Sequence, residues 1–302
     1  MIHGLLNVDK PQEWTSHDAV AKIRRVLKQQ KVGHAGSLDP NATGVLLLCL
    51  GKGTKLSRYF MGLEKEYHAF FRFGAVTDTQ DADGEVLETR DAGDVTEERI
   101  LEVIGRFRGE ILQTPPMVSA VKVGGKRLYR YARKGETVER KPRPIHVRSF
   151  ELVGWNPPVA EVKIACSKGT YVRTLAADMG DLLGCGAYLD RLTRTRIGPY
   201  RVEDALTIER IAELAAEGRL DEACISLEKT VEKLPTAVLR AAPGRWGGPA
   251  LPSTLGSLEP LDPIPGEGEF LRIRDRVGRS VGVVQVEGER GHLRRVFSWE
   301  GR

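Results

Sequence analysis

Apolar residues recur along this chain in two rhythms, and each segment keeps to one of them. From Ser16 onward Ala19, Val20, Ile23 and Val26/Leu27 fall at helical spacing, while Lys22, Arg24, Arg25, Lys28 and Lys31 fill other positions. This predicts a helix opened by Ser16 with a basic outer face. Residues 66–74 switch to a two-residue period, predicting a strand with Tyr67, Ala69, Phe71 and Phe73 on one side. A helix is expected from about Thr96, with Asp94 as candidate cap and Ile100, Leu101, Ile104 and Phe107 as its stripe. Strands are expected at residues 145–153 and 159–166. Helices are expected at 171–183, through Leu175, Met179 and Leu182, and at 207–216.

The character changes near Leu234. Residues 235–268 are rich in proline and glycine and have no clear period, and three strand candidates follow at 269–274, 280–286 and 292–299. A small β-rich module is expected there, and a length of 302 residues accommodates about two domains. The longest uninterrupted apolar run, Val45 to Leu50, is far short of the ~20 residues that cross a bilayer. Asp9 and Lys10 break the N-terminus where a signal peptide needs its apolar stretch, so a cytoplasmic protein with no membrane partner is expected.

The formal net charge of +5 is ordinary, but its distribution is not. Residues 121–148 carry ten Lys and Arg against two Glu, and residues 78–110 carry eleven acids against four bases. Clustered cations gain most from releasing counterions at phosphates, so nucleic acid becomes the leading partner. Cys49, Cys166, Cys185 and Cys224 lie far apart with no C-x-x-C, which fits reduced, mostly buried thiols rather than a zinc site or disulfide scaffold. Neither G-x-x-x-x-G-K-S/T, G-x-G-x-x-G nor H-E-x-x-H occurs, so nucleotide-cofactor and zinc-hydrolase chemistry lose support. The acidic run from Thr77 to Gly84 places Thr79 and Arg90 where a calcium loop needs carboxylates. A turn whose acids bond local amides is expected instead.

Residues 31–46 are the most informative stretch. Gly33, Gly36, Gly44, Pro40 and several polar side chains precede a strongly apolar run, as in a loop held against a core, and His34 and Asp39 are placed to project into a cleft. A purely structural Asp-Pro turn fits the same pattern. Residues 166–174 form a second such stretch, a strand ending at Gly169 before a helix with Arg173 in its first turn. A cation there opposes the helix dipole by roughly a few tenths of a kcal/mol unless an anion partners it. Arg173 is thus either functional or a plain surface arginine.

Resemblance adds what spacing leaves open. Six ordered segments resemble the TruB family of bacterial tRNA pseudouridine synthases: Leu6-Asn7-Val8-Asp9-Lys10-Pro11; Gly33-His34-Ala35-Gly36-Ser37-Leu38-Asp39-Pro40 with Ala42-Thr43-Gly44; Lys65-Glu66-Tyr67; Thr77-Asp78-Thr79 with Asp81-Ala82-Asp83-Gly84; Ser119-Ala120-Val121-Lys122; and Cys166-Ser167-Lys168-Gly169-Thr170-Tyr171-Val172-Arg173-Thr174. Val118, in Pro116-Met117-Val118-Ser119, departs from the family pattern outside the catalytic set. The resemblance implies an α+β pseudouridine synthase fold with a mixed, largely antiparallel central sheet flanked by helices. It implies a catalytic domain at 1–234 with a basic RNA-gripping insertion near 117–146. The tail, 235–302, is similar to a small β-rich PUA-like RNA-binding domain.

The activity so implied is isomerisation of the T-loop uridine of tRNA, position 55, to pseudouridine. Asp39 would cleave the N-glycosidic bond, after which the uracil turns and is rejoined through C5. Tyr67 would stack on the base and help remove a proton, and Arg173 would keep Asp39 ionised and oriented. His34 would lie beside the flipped nucleotide, Lys10 and Tyr171 would support the pocket, and Leu192 would pack beneath it. Lys122, Lys126, Arg127 and Arg130 would grip the RNA stem-loop. The resemblance implies no cofactor or metal, no obligate protein partner, and a monomer.

Chemistry agrees with these roles. A lone carboxylate beside an electron-poor sugar carbon serves as nucleophile or electrostatic stabiliser, and recapture of a detached uracil demands a closed apolar pocket. Val45, Leu46 and Tyr67 are candidates for its wall. Extruding the uridine costs about a few kcal/mol, which stacking and hydrogen bonds must offset. A non-catalytic tRNA-binding protein or guide-RNA-dependent subunit would suit the charge and tail, and a base-excising glycosidase would suit the carboxylate. The joint presence of Asp39, Tyr67 and Arg173 favours the isomerase.

Overall fold

Strict alternation at residues 65–73 produces a strand with Tyr67, Ala69, Phe71 and Phe73 buried on one face and half-exposed residues on the other, as predicted. This strand lies inside a ten-stranded sheet. The computed structural model describes residues 1–240, 251–261, 263–288 and 291–298. The chain runs β1 (Gly4–Lys10), α1 (Ser16–Val26), β2 (Val32–His34), β3 (Thr43–Leu50), α2 (Ser57–Gly62), β4 (Lys65–Phe73), β5 (Ala75–Thr77), β6 (Val86–Thr89), α3 (Glu97–Gly105) and β7 (Gly109–Gln113). A hairpin of β8 (Lys122–Val123) and β9 (Lys126–Arg127) leads into α4 (Leu128–Ala132) and then β10 (Arg143–Asn156), β11 (Val159–Cys166), α5 (Val172–Leu183) and β12 (Ala187–Ile197). After β13 (Tyr200–Arg201), α6 (Ile208–Ala216), β14 (Cys224–Ser226) and α7 (Leu227–Thr230) come β15 (Thr236–Val238), β16 (Phe270–Arg274), β17 (Ser280–Glu287) and β18 (His292–Ser298).

The large sheet has the order β14-β1-β3-β12-β4-β11-β10-β7, with β2 beside β3 and β13 beside β12. Only the β3–β12 pair is parallel, and its ladder joins just Thr43 to Thr193 and Gly44 to Arg194. The fold is therefore α+β with a mixed, largely antiparallel sheet, as expected. At the parallel seam Gly44 adopts φ +93°, and a Cβ there would meet the Arg194 carbonyl oxygen at 2.3 Å. Only glycine permits that approach.

The apolar run Val45 to Leu50 is continuous because β3 is buried on both faces. Val45, Leu47 and Cys49 face a core with Phe60 and Ile197, whereas Leu46, Leu48 and Leu50 face α1 and α6. A third core lies between β4, β10 and β11 and the helices α3 and α5. The C-terminal strands form their own sheet, β15-β16-β17-β18, around Leu271, Ile273, Val281, Val284 and Val286. Its Phe270, Val283 and Phe297 pack with Leu227, Val231 and Leu234.

Several expectations shift for local reasons. Thr15, not Ser16, caps α1, because Thr15 and Asp18 satisfy each other's backbone N–H groups in a capping box. Thr96, not Asp94, caps α3. Leu101 and Leu182 face outward, and Val103 and Leu183 occupy the core instead. The strand ending in residue 166 stops there rather than at Gly169. Residues 143–146 of the expected insertion belong to β10, and residues 32–34 are strand rather than loop. Trp299, expected to end the last strand, lies outside the described residues. All four cysteines are free, and three are buried. Among the described residues, no helix is long and apolar enough to cross a membrane.

Candidate active site

The loop between β2 and β3 is pinned by side chains from three other segments. The Ser16 hydroxyl accepts from the Leu38 N–H at 2.9 Å and donates to the Leu38 carbonyl at 3.2 Å. Lys10 is fully buried, and its Nζ donates to the carbonyls of Pro11, Trp14 and Pro40 at 2.8, 2.6 and 2.9 Å. All three ammonium donors are used. Burial brings the Lys10 ammonium down to about 8, against the opposing pull of Asp39. Arg194, buried in β12, donates from Nε to the Val45 carbonyl at 2.8 Å and from its two Nη groups to Ser37 and Gly36 at 3.2 and 3.0 Å. These bonds straddle the parallel seam and fix the backbone on both sides of Asp39.

Asp39 meets Arg173 across the cleft. Arg173 Nε lies 3.0 Å from Asp39 Oδ2, and Nη2 donates to Oδ1 at 3.4 Å. Its Nη1 also lies 3.2 Å from Asp81 Oδ2 and donates to the Thr79 carbonyl at 3.0 Å, while Nη2 donates to the Val118 carbonyl at 2.9 Å. Five oxygens thus surround a guanidinium only 4% exposed, three of them in hydrogen bonds and two, Asp39 Oδ2 and Asp81 Oδ2, in ion-pair contact. The awkward cation at the start of α5 is explained by two carboxylates that partner it. The Asp39 side chain keeps 47% of its accessible surface although atoms crowd its carboxyl, so the group is packed around yet reachable from solvent. Crowding pushes its carboxyl above the usual range. Arg173 is the main opposing influence, and Asp81 reinforces the rise.

Tyr67, at the inner face of β4, is nearly buried, and its phenol lies within electrostatic reach of the Arg194 guanidinium. Burial pushes the phenol up, against Arg194, and the Asp39 charge also reaches it. Leu192 pairs opposite Ala69 and packs on the core that contains Tyr67. Tyr171 stands at the start of α5, its backbone held at both N–H and carbonyl by the Gln113 side chain, at 2.8 and 3.0 Å. The charges of Arg173 and Lys10 act on Asp39, and the Asp39 charge reaches Tyr67 and Tyr171, so these five are brought together, whereas Leu192 is placed on the core that Tyr67 shares.

His34 sits at the other end of the loop, its ring 5.4 Å from that of His17. Burial, with His17, Arg194 and Arg127 nearby, brings its imidazole down to about 4. Lys122, Lys126, Arg127 and Arg130 lie on the exposed hairpin and α4, and Arg127 alone of these acts on His34. Arg140 closes the base of this arm by donating to the Pro115 carbonyl at 3.1 Å.

Sequence reasoning missed three partners. Asp81 does bond within its turn, accepting at Oδ1 from the Thr79 hydroxyl and the Asp83 N–H, but its second oxygen faces Arg173. The carbonyl of Val118, a residue that departs from the family pattern, also holds Arg173. Arg194 escaped because register shifts on both sides of residues 191–194 break the two-residue rhythm of β12, so an inward position does not stand out. Its one signal is the motif it shares with Leu192. Among the described residues no cluster is suited to hold a metal ion.

The geometry is that of a fixed, partly desolvated carboxylate beside a phenol, suited to chemistry on a bound organic group. Comparison with known proteins agrees. The chain matches the model of TruB family pseudouridylate synthase (N terminal domain) over residues 24–172 and that of the tRNA pseudouridylate synthase B C-terminal domain over 173–238. tRNA pseudouridine synthase B of Pseudomonas aeruginosa is 40% identical over 288 residues, 94% of this chain and 92% of that protein. The protein of the same name from Opitutus terrae is 50% identical over 213 residues, 70% of this chain and 88% of its own length. A chain of a solved Cbf5-Nop10-Gar1 complex superposes with a TM-score of 0.71 at 25% identity, covering 98% of this chain and 84% of that one. The chain belongs to the TruB family of pseudouridylate synthases, isomerases that convert uridine in RNA to pseudouridine.

Proposed function

We propose that this enzyme isomerises the T-loop uridine of tRNA, position 55. The observation that carries the reading is a partly exposed Asp39 held at both oxygens by a buried Arg173 that also meets Asp81 and the carbonyls of Thr79 and Val118. In the reaction the bond between N1 of uracil and C1′ of ribose breaks, and a bond from C5 to C1′ forms. The proton leaves C5 and N1 gains one, so atoms and electrons balance without an oxidant. Asp39 acts on the glycosidic bond as the anionic group, Arg173 holds it in the required orientation, and Tyr67 stacks on the uracil and receives or relays the C5 proton. Leu192 and the Tyr67 ring supply apolar wall that retains the free base.

Lys10 and Tyr171 hold the loop and the start of α5, and His34 supports the nucleotide extruded from its stack. Lys122, Lys126, Arg127 and Arg130 grip the phosphates of the T stem-loop. Residues 1–234 form the catalytic domain, and the β-rich tail is a PUA-like RNA-binding module. The likeness to a Cbf5 chain prompts a second reading, dependence on a guide RNA and partner proteins. Relatives at 40–50% identity that are named for tRNA favour the first.

Purified protein incubated alone with unmodified tRNA transcript should yield pseudouridine at the T-loop position on mapping. Product that appears only with an added guide would support the second reading, and free uracil with an abasic site would mark a glycosidase.

A further inference from the structure

His34 presents a physical puzzle that its own neighbours do not resolve. Its Nδ1 is inaccessible to solvent and has no hydrogen-bond partner among the described residues. No hydrogen bond from that nitrogen therefore sets the plane of the ring, and a side chain meant to meet an extruded nucleotide needs a defined orientation. Arg194 and Arg127 approach it only as like charges.

What does meet the ring is His17, edge-on, with centroids 5.4 Å apart and planes at 74°. His17 is the second residue of α1; its ring is exposed, but its backbone is fixed for reasons independent of His34. The neighbouring Ser16 hydroxyl makes two hydrogen bonds to the Leu38 backbone, accepting from its N–H and donating to its carbonyl. The Thr15–Asp18 capping box fixes the turn itself. Lys10 ties Trp14, just ahead of the helix, to Pro40. The first turn of α1 and the catalytic loop thus form one body, with His17 projecting from the first onto His34 of the second.

We propose that His17 is a positioning residue for the reaction, its ring holding the His34 imidazole in the orientation that meets the RNA. The proposal rests on the reading of His34 as an RNA contact. It assigns His17 no contact with the reacting atoms.

Single-turnover kinetics with unmodified tRNA transcript and excess enzyme test it. His17→Ala should slow the rate at saturating enzyme about tenfold while tRNA affinity stays within about threefold, because a displaced supporting group costs rate more than binding. His17→Phe, which keeps an aromatic edge without ionising, should stay within about threefold of the wild-type rate. The His17→Ala/His34→Ala double variant should be no slower than His34→Ala alone, the mark of two residues acting as a unit. A wild-type rate in His17→Ala, additive losses in the double variant, or a His17→Phe as slow as His17→Ala would each overturn the positioning role. A His34→Ala enzyme as fast as the wild type would overturn the reading of His34 itself, a result distinguishable from the others because it needs no His17 variant.

Discussion

The cleft around Asp39 and the arm between β7 and β10 are both rich in cations, and they treat them in opposite ways. In the cleft, Lys10, Arg173 and Arg194 are buried, and their donors are spent on named carbonyls and carboxylates. On the arm, Lys122, Lys126, Arg127 and Arg130 are exposed, and among the described residues none of them forms an ion pair. The first arrangement costs desolvation energy and gives geometry, since fixed donors hold the Asp39 carboxylate in one orientation. The second leaves charge free of ion pairs, the state from which clustered cations gain most on meeting phosphates. Under the proposed function chemistry and grip are divided between these two parts of the chain, and substitutions in each should move different observables.

The sharpest way to break that division is Asp39→Asn, which removes charge while preserving shape. The single-turnover rate should fall by roughly ten-thousand-fold, the scale of losing an essential catalytic group. Affinity for tRNA, measured by filter binding, should stay within about threefold, because the arm is untouched. A comparable loss of binding would show that Asp39 serves the grip as well.

Arg173→Ala should come next, slowing the rate by about a hundredfold or more. Stability in urea should drop by about 3 kcal/mol, near the low end for a broken buried pair, because Asp39 retains contact with water. Arg173→Lys should recover little of the rate, since three donors cannot meet five acceptors. The pH dependence separates charge from shape. Crowding raises the Asp39 carboxyl above its usual range and Arg173 opposes that rise, so the rate should fall as pH drops through the raised value. Removing the guanidinium moves this acid limb to still higher pH, whereas lysine, which keeps a positive charge, should leave it nearer its original place. Coincident acid limbs for the alanine variant and the wild type would mean that Arg173 does not tune Asp39.

The same contrast explains what is readable in the sequence. Asp39, Tyr67 and Arg173 stand in distinctive motifs, and Tyr67 also follows from the period of β4, because a strand with one face on the core writes its burial as alternation. The arm shows directly as a run of basic residues. Arg194 is hidden because bulges interrupt the alternation of β12, and Asp81 because one carboxylate oxygen does turn chemistry while the other meets Arg173. The Val118 carbonyl is invisible in principle, since a backbone acceptor carries no residue signature. β2 resembles loop in sequence because its three residues sit among glycines, and only its pairing with β3 makes them a strand.

The smallest effect on chemistry, and the most informative about the arm, is expected from changing Lys122, Lys126, Arg127 and Arg130 together to Gln. Each phosphate left without its cation should flatten the slope of log affinity against log salt by about 0.7 to 0.9, so the quadruple change predicts a slope shallower by about 3. Leu128 is the buried residue of α4 and is left in place, so the fold of the arm should survive. At saturating enzyme the rate should remain within about threefold of wild type, because the groups that hold Asp39 are bonded to one another and not to these cations. The base of the arm meets the site through the Val118 carbonyl, which accepts from Arg173 and is untouched by these changes, while Arg127 is the one of the four cations near His34, and the quadruple variant compared with one that retains Arg127 isolates that second link. An unchanged salt slope would remove the arm from the RNA interface. A collapse in rate at saturation would show instead that the uncommitted cations help to assemble the cleft, and the division of labour would fail on the side of chemistry.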